Sequence, residues 1–256
     1  MNASEETGVW LYAVTPEAGA SALGGLTGVA AERPRVVTAG RLVAVVGDVP
    51  LGSFGEEALR RNLEDLDWLA TVARAHDTVI AALVERGPVA PVRLATVYHD
   101  DASVRTAVEE RSADFERTLE HVSRRVEWGV KAFLRNDPEP TTAATAGEGA
   151  GVAYLARRRR ELASREDRQQ QAADQASHIH ATLSDLAADA CTHPPQSRAL
   201  THQDGPMVLN GAYLVDADRA EQFAEAVAAW DRDSAVLTVT LTGPWPPYSF
   251  SSPEEP

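Results

Sequence analysis

The stretch Pro34-Arg-Val-Val-Thr-Ala-Gly-Arg-Leu-Val-Ala-Val-Val-Gly-Asp-Val49 holds two Val-rich runs on either side of Ala39-Gly40. Valine favours strands, because its branched side chain packs well on a pleated surface. A glycine between two such runs is typical of a tight turn, since it adopts backbone angles that other residues avoid. The stretch therefore predicts an antiparallel hairpin with strands from Pro34 to Thr38 and from Leu42 to Val49.

More strands and two helices surround this hairpin in the sequence. The run from Val9 to Val14 is apolar throughout, which indicates a buried strand. Apolar residues then recur every three or four positions from about Glu56 to Leu83, which predicts one amphipathic helix ending before Gly87-Pro88. Val89 to Tyr98 is a further strand candidate, and Asp101 fits the N-cap of a second helix.

The second helix carries a regular apolar stripe that is interrupted by Arg111. An arginine in this position either extends to the edge of the sheet or pairs with a buried acid. Strands around two amphipathic helices predict a ferredoxin-like α+β domain over residues 1–134. We expect each helix to lay its stripe on one face of an antiparallel sheet, with the other face solvated or covered by a second domain.

The second half of the chain begins with a linker over residues 135–149, which holds two prolines and no apolar stripe. A long helix is predicted from about Gly151 to Cys191, and its middle, Ser164 to Ser177, is almost wholly polar. A polar stretch of helix gains little from core burial, so we expect it to project into solvent or to contact a partner. Later strands and a short helix complete a C-terminal α+β domain over residues 150–256, which ends in the tail segment Gly243–Phe250.

Composition excludes several classes of function. The 256-residue chain has a formal net charge of −14, which makes it a poor general binder of nucleic-acid phosphates, and its one basic cluster, Arg157-Arg-Arg-Arg160, is better explained as a salt-bridged helix face. No apolar run reaches the ~18 residues that span a bilayer, and the acidic stretch from Met1 to Gly8 is not a secretory signal. The single cysteine rules out an internal disulfide and fits a reducing compartment. We therefore expect a cytoplasmic protein with no nucleic-acid or membrane partner.

Few residues suggest catalysis or a cofactor. Cys191-Thr-His193 could form half of a metal site or a thiol–imidazole pair, but zinc sites usually need four ligands in defined spacing. His76 lies in the apolar stripe of the first helix, beside Asp77, and is better explained as a satisfied core or edge histidine. The interpretation is a non-enzymatic chain without cofactor or metal. The alternatives are a small-molecule enzyme using Cys191 or His76 and an RNA-binding ferredoxin-like module.

Several segments together resemble one known family. Gly243-Pro-Trp-Pro-Pro-Tyr-Ser-Phe250, directly after a closing strand, is similar to the C-terminal signature of the gas vesicle protein F/L family. Matching segments occur in family order over nearly the whole chain. They are Gly8-Val-Trp-Leu-Tyr12, His76-Asp-Thr-Val79, Val89–Val97, Glu127-Trp-Gly-Val-Lys131, Tyr154-Leu-Ala-Arg-Arg158 and Asn210–Val215. Positions 93–95 depart from the family pattern, because they read Arg-Leu-Ala where an aromatic residue and a glycine are expected.

The resemblance implies a cytoplasmic accessory protein needed to form gas vesicles, with two α+β domains. It implies contact with the small hydrophobic shell subunit, in a chaperone-like or nucleating role, and with other gas vesicle accessory proteins. We expect Trp245, Tyr248, Phe250 and Arg111 to contribute to partner binding. The tail residues also have a structural explanation, because rigid Pro-rich aromatic segments commonly pack as staples.

Overall fold

A computed structural model describes residues 6–16, 23–135, 150–197, 203 and 205–251, with the backbone alone for residues 150–157, 160 and 161. The chain divides into two compact units. The first comprises Met1–Glu127 and Pro244–Pro256, and the second comprises Trp128–Gly243. The predicted α+β class is confirmed, as is the antiparallel sheet predicted for the N-terminal part, and the second unit has an antiparallel sheet as well.

The first unit is built on a sheet with strand order β2-β3-β1-β4, and β5 also pairs with β1. Its strands are β1 (Thr7–Pro16), β2 (Arg35–Ala39), β3 (Leu42–Pro50), β4 (Ala90–Pro91) and β5 (Val97–Tyr98). The predicted hairpin is confirmed, because Ala39 pairs with Leu42 and Gly40 has a φ of 63°. The strand order is that of a ferredoxin-like sheet, although residues 23–34, between β1 and β2, contain no helix.

Helices cover both faces of this sheet, so the expectation of one face left for solvent or the second domain is wrong. The helices are α1 (Leu51–Phe54), α2 (Glu56–Asn62), α3 (Leu66–Val84), α4 (Asp101–Glu110) and α5 (Ser112–Val122). Helices α4 and α5 pack on the face that carries Val9 and Leu11, and α1 to α3 pack on the face that carries Trp10 and Tyr12. The physical reason is that β1 is apolar on both faces, so both must be buried.

Each of the two predicted helices of the first unit is broken into shorter helices. The first breaks between Asn62 and Leu66, where Asp65 caps α3 by accepting from the backbone N–H groups of Asp67 and Trp68. The second breaks at Arg111, which ends α4 and precedes α5 with a φ of −111°. The N-cap of α4 is Asp100, which accepts from the Ser103 N–H, and not Asp101 as predicted.

The expected strand from Val89 to Tyr98 is two short strands separated by a turn. Ala95 has a φ of 67°, which a continuous strand does not allow, and the Thr96 hydroxyl donates to the Arg93 carbonyl. This turn lies in the segment where the sequence departs from the family pattern.

The second unit has the element order β-α-β-β-α-β and the strand order β7-β8-β6-β9, which together define a ferredoxin-like fold. Its elements are β6 (Arg125–Leu134), α6 (Ala150–Ser184), β7 (Asp189–Thr192), β8 (Met207–Asp216), α7 (Ala220–Asp233) and β9 (Leu237–Trp245), with a 3₁₀ turn at Ala217–Arg219. Both helices pack on one face of the sheet, where Ile179 and Leu183 of α6 meet Phe223 and Val227 of α7 in a single core.

The long helix was predicted to reach Cys191, and this end is wrong. Helix α6 ends at Ser184, and β7 pairs with β8 from Asp189↔Leu214 to Thr192↔Gly211. The Ala-rich segment before Cys191 favours helix by its own propensity, and pairing with β8 overrides that preference.

The expected domain bounds, 1–134 and 150–256, differ from the compact units at two places. Strand β6 supplies Val130 and Ala132 to the second core, and the chain from Pro244 onward belongs to the first unit. The expected linker, 135–149, lies outside the described residues apart from Arg135.

Candidate functional site

The tail segment Gly243–Phe250 is anchored on the first unit by two carboxylates. The Tyr248 hydroxyl donates to Asp77 Oδ1 of α3 at 3.1 Å. The Ser249 backbone N–H and hydroxyl donate to Glu127 Oε2 and Oε1 at 2.9 and 2.7 Å. We call these four residues, Asp77, Glu127, Tyr248 and Ser249, the tail clasp.

Proline gives the tail its local shape. Pro246 and Pro247 are both buried, and their fixed φ angles restrict the chain as it leaves β9. A 3₁₀ turn follows over Tyr248–Phe250, and the Ser251 hydroxyl closes it by donating to the Pro247 carbonyl. The turn directs Tyr248 and Ser249 toward the two carboxylates.

Burial controls the protonation of the tail clasp. It raises the pKa of Glu127, and the two hydrogen bonds from Ser249 partly offset this effect by favouring the carboxylate. Burial also raises the pKa of Tyr248 well above its usual range, and the nearby Asp77 charge adds to the increase. Tyr248 therefore keeps its proton and remains the donor to Asp77.

Trp245 is more exposed to solvent than the tail residues that follow it. Its residue surface is 48% exposed, whereas the two prolines that follow it are buried. Phe250 is half-buried, and Tyr248 packs against the core beneath α1 to α3. The predicted aromatic set thus divides into one exposed side chain, Trp245, and two that lie against the unit.

Arg111 lies at the junction of α4 and α5, on the surface of the first unit. Its guanidinium carbon lies 5.4 Å from the centre of the Phe115 ring, within the range of a cation–π contact. Among the described residues, the contact of Arg111 is with this ring and not with a buried acid or the sheet edge, the two arrangements that the sequence predicted. The ring of Phe115 holds the cation at the surface instead.

A buried polar network lies directly behind the tail clasp. Trp10 Nε1 donates to His76 Nδ1 at 3.0 Å, so Nε2 carries the proton and donates to the Val92 carbonyl at 3.2 Å. Tyr12 stacks on the His76 ring with 5.3 Å between ring centres. Burial lowers the pKa of His76 to about 4. The ring is therefore neutral, with both nitrogens engaged, which agrees with a core histidine and leaves no nitrogen available as a base.

Tyr12 extends this network to the loop before β2. It occupies a β-bulge of β1, where the register shifts between Leu11 and Ala13. Its hydroxyl donates to Glu32 Oε1 at 2.5 Å and accepts from the Val29 N–H, while Glu32 Oε2 accepts from the Ala30 N–H. The arrangement fixes loop 28–32 against the sheet.

The other catalytic candidates lie in the second unit. Cys191 Sγ is 3.9 Å from His193 Nε2, and His180 Nδ1 is 2.8 Å from the Tyr213 hydroxyl. Burial raises the pKa of Tyr213 above its usual range, which keeps the phenol protonated. Within the described ranges, no group of three or more His, Cys, Asp and Glu residues is arranged to hold a metal ion. The described helices also include none with the length and apolarity needed to cross a membrane.

Sequence reasoning missed Asp77 and Glu127 as partners of the tail. A signal was present in each case. Glu127 is an acid between two apolar residues, Val126 and Trp128, near the start of a strand. Asp77 follows a histidine in the apolar stripe of its helix, so its side chain lies beside that stripe. What the sequence alone does not reveal is which distant residue meets them, since Tyr248 is 171 positions from Asp77.

These features define a class: an α+β protein of two antiparallel-sheet units, whose C-terminal segment returns to the first unit and is anchored there through buried prolines and paired carboxylates. The chain belongs to the gas vesicle synthesis protein GvpL/GvpF family, whose model matches residues 8–252. Membership supports a role in gas vesicle assembly.

Two relatives from Streptomyces sp. (strain CB03234) illustrate the similarity. The chain is 44% identical to gas vesicle protein L over 246 residues, covering 94% of this chain and 92% of the relative. It is 29% identical to gas vesicle protein F over 230 residues, covering 84% and 87%. Identity is thus higher to the L-type relative than to the F-type relative of the same strain.

Solved structures show the same fold. The crystal structure of GvpF from Anabaena sp. PCC7120 matches with a TM-score of 0.62 at 18% identity, covering 97% of this chain and 98% of that one. GvpF from Microcystis aeruginosa matches with a TM-score of 0.60 at 18% identity, covering 96% and 99%.

Proposed function

We propose that this protein is a cytoplasmic accessory factor of gas vesicle assembly, of the L type, that binds the hydrophobic shell subunit through Trp245. It holds the subunit in a chaperone-like or nucleating role and contacts other gas vesicle accessory proteins. The observation that carries the proposal is the exposure of Trp245 on a tail whose neighbouring residues are anchored.

Anchoring matters because a binding residue is more effective when its position is fixed in advance. Trp245 is the last residue of β9, and the buried pair Pro246-Pro247 follows it. Gly243, with a φ of 116°, supplies the bend that only glycine adopts readily. Tryptophan is also enriched among the residues that dominate binding energy, since it buries a large rigid surface. A shell subunit with an apolar surface is a suitable partner for such a side chain.

Arg111 is the second proposed contact. The Phe115 ring beneath it reduces the number of orientations of the guanidinium, so less side-chain entropy is lost on binding. Tyr248 and Phe250 are proposed to act mainly by holding the tail, because one is bonded to Asp77 and the other is half-buried.

Replacing the exposed tryptophan is expected to weaken binding of the shell subunit strongly without unfolding the protein. In co-expression with the shell subunit, Trp245→Ala should reduce the amount of shell subunit that co-purifies by at least about tenfold, as for a central binding residue. Its circular dichroism and thermal midpoint should remain close to wild type, because nearly half of the side chain is already in solvent. Arg111→Ala should give a smaller loss of capture.

The matched control is Tyr248→Phe, which keeps the tail aromatic and removes only the hydroxyl bonded to Asp77. It should retain capture of the shell subunit. If Trp245→Ala captures as much shell subunit as wild type, the proposed binding role of the tail is wrong. If Trp245→Ala unfolds the protein, Trp245 is a structural residue instead.

A further inference from the structure

Helix α6 extends well beyond the sheet on which it packs. It has 35 residues, about 52 Å of helix, whereas β8, the strand it accompanies, has 10 residues, about 33 Å. Among the residues of α6 whose side chains are described, the buried ones all lie in the C-terminal half: Ala172, Ala176, Ile179 and Leu183. Every residue described in side-chain detail from Arg158 to Gln171 is exposed, except Arg168, which is partly covered. The stretch of α6 from Leu162 to Gln171, together with Arg158 and Arg159, therefore lies outside the core.

One face of this overhang combines an apolar side chain with cations. Leu162 is 45% exposed, with Arg158 one turn before it and Arg165 one turn after it, so the three lie on the same side of the helix. We call Arg158, Leu162 and Arg165 the arm. Residues 157–168 hold six arginines and three acids in a chain whose net charge is −14. The arm is thus a basic surface on an otherwise acidic protein.

A surface of opposite character lies in the first unit, at the junction of α2 and α3. Leu66 is 77% exposed and Leu63 is 38% exposed, the former being the most exposed large apolar residue of the described chain. The acidic residues between and beside them, Glu64, Asp65 and Asp67, are all exposed. Asp65 is fixed in place as the N-cap of α3. We call residues 63–67 the elbow.

The arm and the elbow are complementary in charge and in apolar content. The arm places one leucine between two arginines, and the elbow places two leucines among three acids. Opposite charges at the edge of an apolar contact steer association and fix its orientation. We propose that the arm of one molecule docks on the elbow of a second copy of this chain.

The arm and the elbow are different surfaces of the same chain, so one contact joins two chains and leaves one arm and one elbow unused. These two either meet in a reciprocal contact, which closes a two-fold dimer, or bind further copies to give rings or open chains. The contact is small and polar at its edge, which is typical of a transient interface. It should weaken with added salt, because the Debye length falls from about 10 Å at 0.1 M to about 3 Å at 1 M.

The test is the molar mass of the full-length protein in solution, measured by sedimentation at several concentrations. At about 50 mM salt the mean mass should rise with concentration above the 27.5 kDa of one chain, and at about 500 mM it should return toward that value. Leu162→Glu and Leu66→Lys should each remain at the mass of one chain at low salt. Val36→Ala, which truncates an exposed apolar residue elsewhere in the first unit, should associate as wild type does.

Mixing the two variants tests whether the contact joins an arm to an elbow. Leu162→Glu retains its elbow and Leu66→Lys retains its arm, so an equal mixture should form pairs of two chains that grow no further. Circular dichroism of each variant checks that the fold is retained. Any of three results overturns the proposal: a wild-type mass that does not rise with concentration, variants that associate as wild type does, or a mixture that stays at one chain.

Discussion

Acidification from neutral pH to pH 4 is expected to lower the free energy of unfolding by about 3 kcal/mol through His76 alone. In the folded protein the pKa of this histidine lies at about 4, against 6.5 in the unfolded chain, chiefly because the ring is buried. The hydrogen bond to the Val92 carbonyl and the charge of Asp77 act in the opposite direction and only partly offset burial.

The sign follows from which state binds the proton first. Between pH 6.5 and pH 4 the unfolded chain is protonated at His76 while the folded protein is not, so each step down in pH favours unfolding. The stabilisation is complete above the unfolded pKa and is lost as the pH falls toward the folded one. Glu127 acts in the reverse sense, because its folded pKa is raised and its protonation at low pH relieves the cost of a buried carboxylate.

Two measurements separate the contribution of His76 from those of other groups. An NMR titration of the ring protons should give a midpoint near pH 4, and urea unfolding at fixed ionic strength should show the pH-dependent loss. His76→Gln keeps an acceptor and a donor without a titrating ring, so its stability should change less over the same pH range. His99→Gln, at an exposed position, should follow the wild-type profile. A titration midpoint near pH 6.5 would contradict the prediction.

Local patterns were sufficient to predict the elements that have strong preferences of their own. The Val-rich hairpin, the apolar strand β1 and the amphipathic stripe of α3 all follow from side-chain spacing. The wrong predictions fall on segments whose secondary structure is determined by tertiary contacts or by a cap. Residues 189–192 form a strand because β8 is beside them, and the stripe predicted to be one helix breaks where Asp65 caps a new one.

In the candidate site too, local sequence predicts some features and distant contacts determine the others. The tail segment was identifiable, and Trp245, Tyr248 and Phe250 stand out by composition. Their different environments depend on which of these side chains are covered, and this is set by residues far away in sequence. Glu127 lies 122 positions before Ser249, and no local pattern relates two such distant residues. Arg111 stands out in the sequence because it interrupts an apolar stripe. The helix break that explains this position is visible only in the backbone angles of the structure.

Truncating the clasp tyrosine is expected to be the most destabilising change in the tail. Tyr248→Ala should lower the free energy of unfolding by about 3 kcal/mol, toward the lower end of the range for losing a large aromatic side chain. The variant loses packing against the core beneath α1 to α3 and removes the partner of Asp77. The tail should then become sensitive to proteolysis, which limited digestion followed by mass spectrometry would detect.

Comparison with Tyr248→Phe divides this loss between packing and hydrogen bonding. The phenylalanine variant keeps the ring and should lose about 1 kcal/mol, the usual value of one hydrogen bond. If Tyr248→Ala is as stable as Tyr248→Phe, the ring does not anchor the tail, and the tail clasp is not a staple. Tyr248→Ala should also reduce capture of the shell subunit, although Trp245 is unchanged, because Trp245 would no longer be held in one position. Loss of both stability and capture in Tyr248→Ala, with loss of capture alone in Trp245→Ala, would assign anchoring to the first residue and binding to the second.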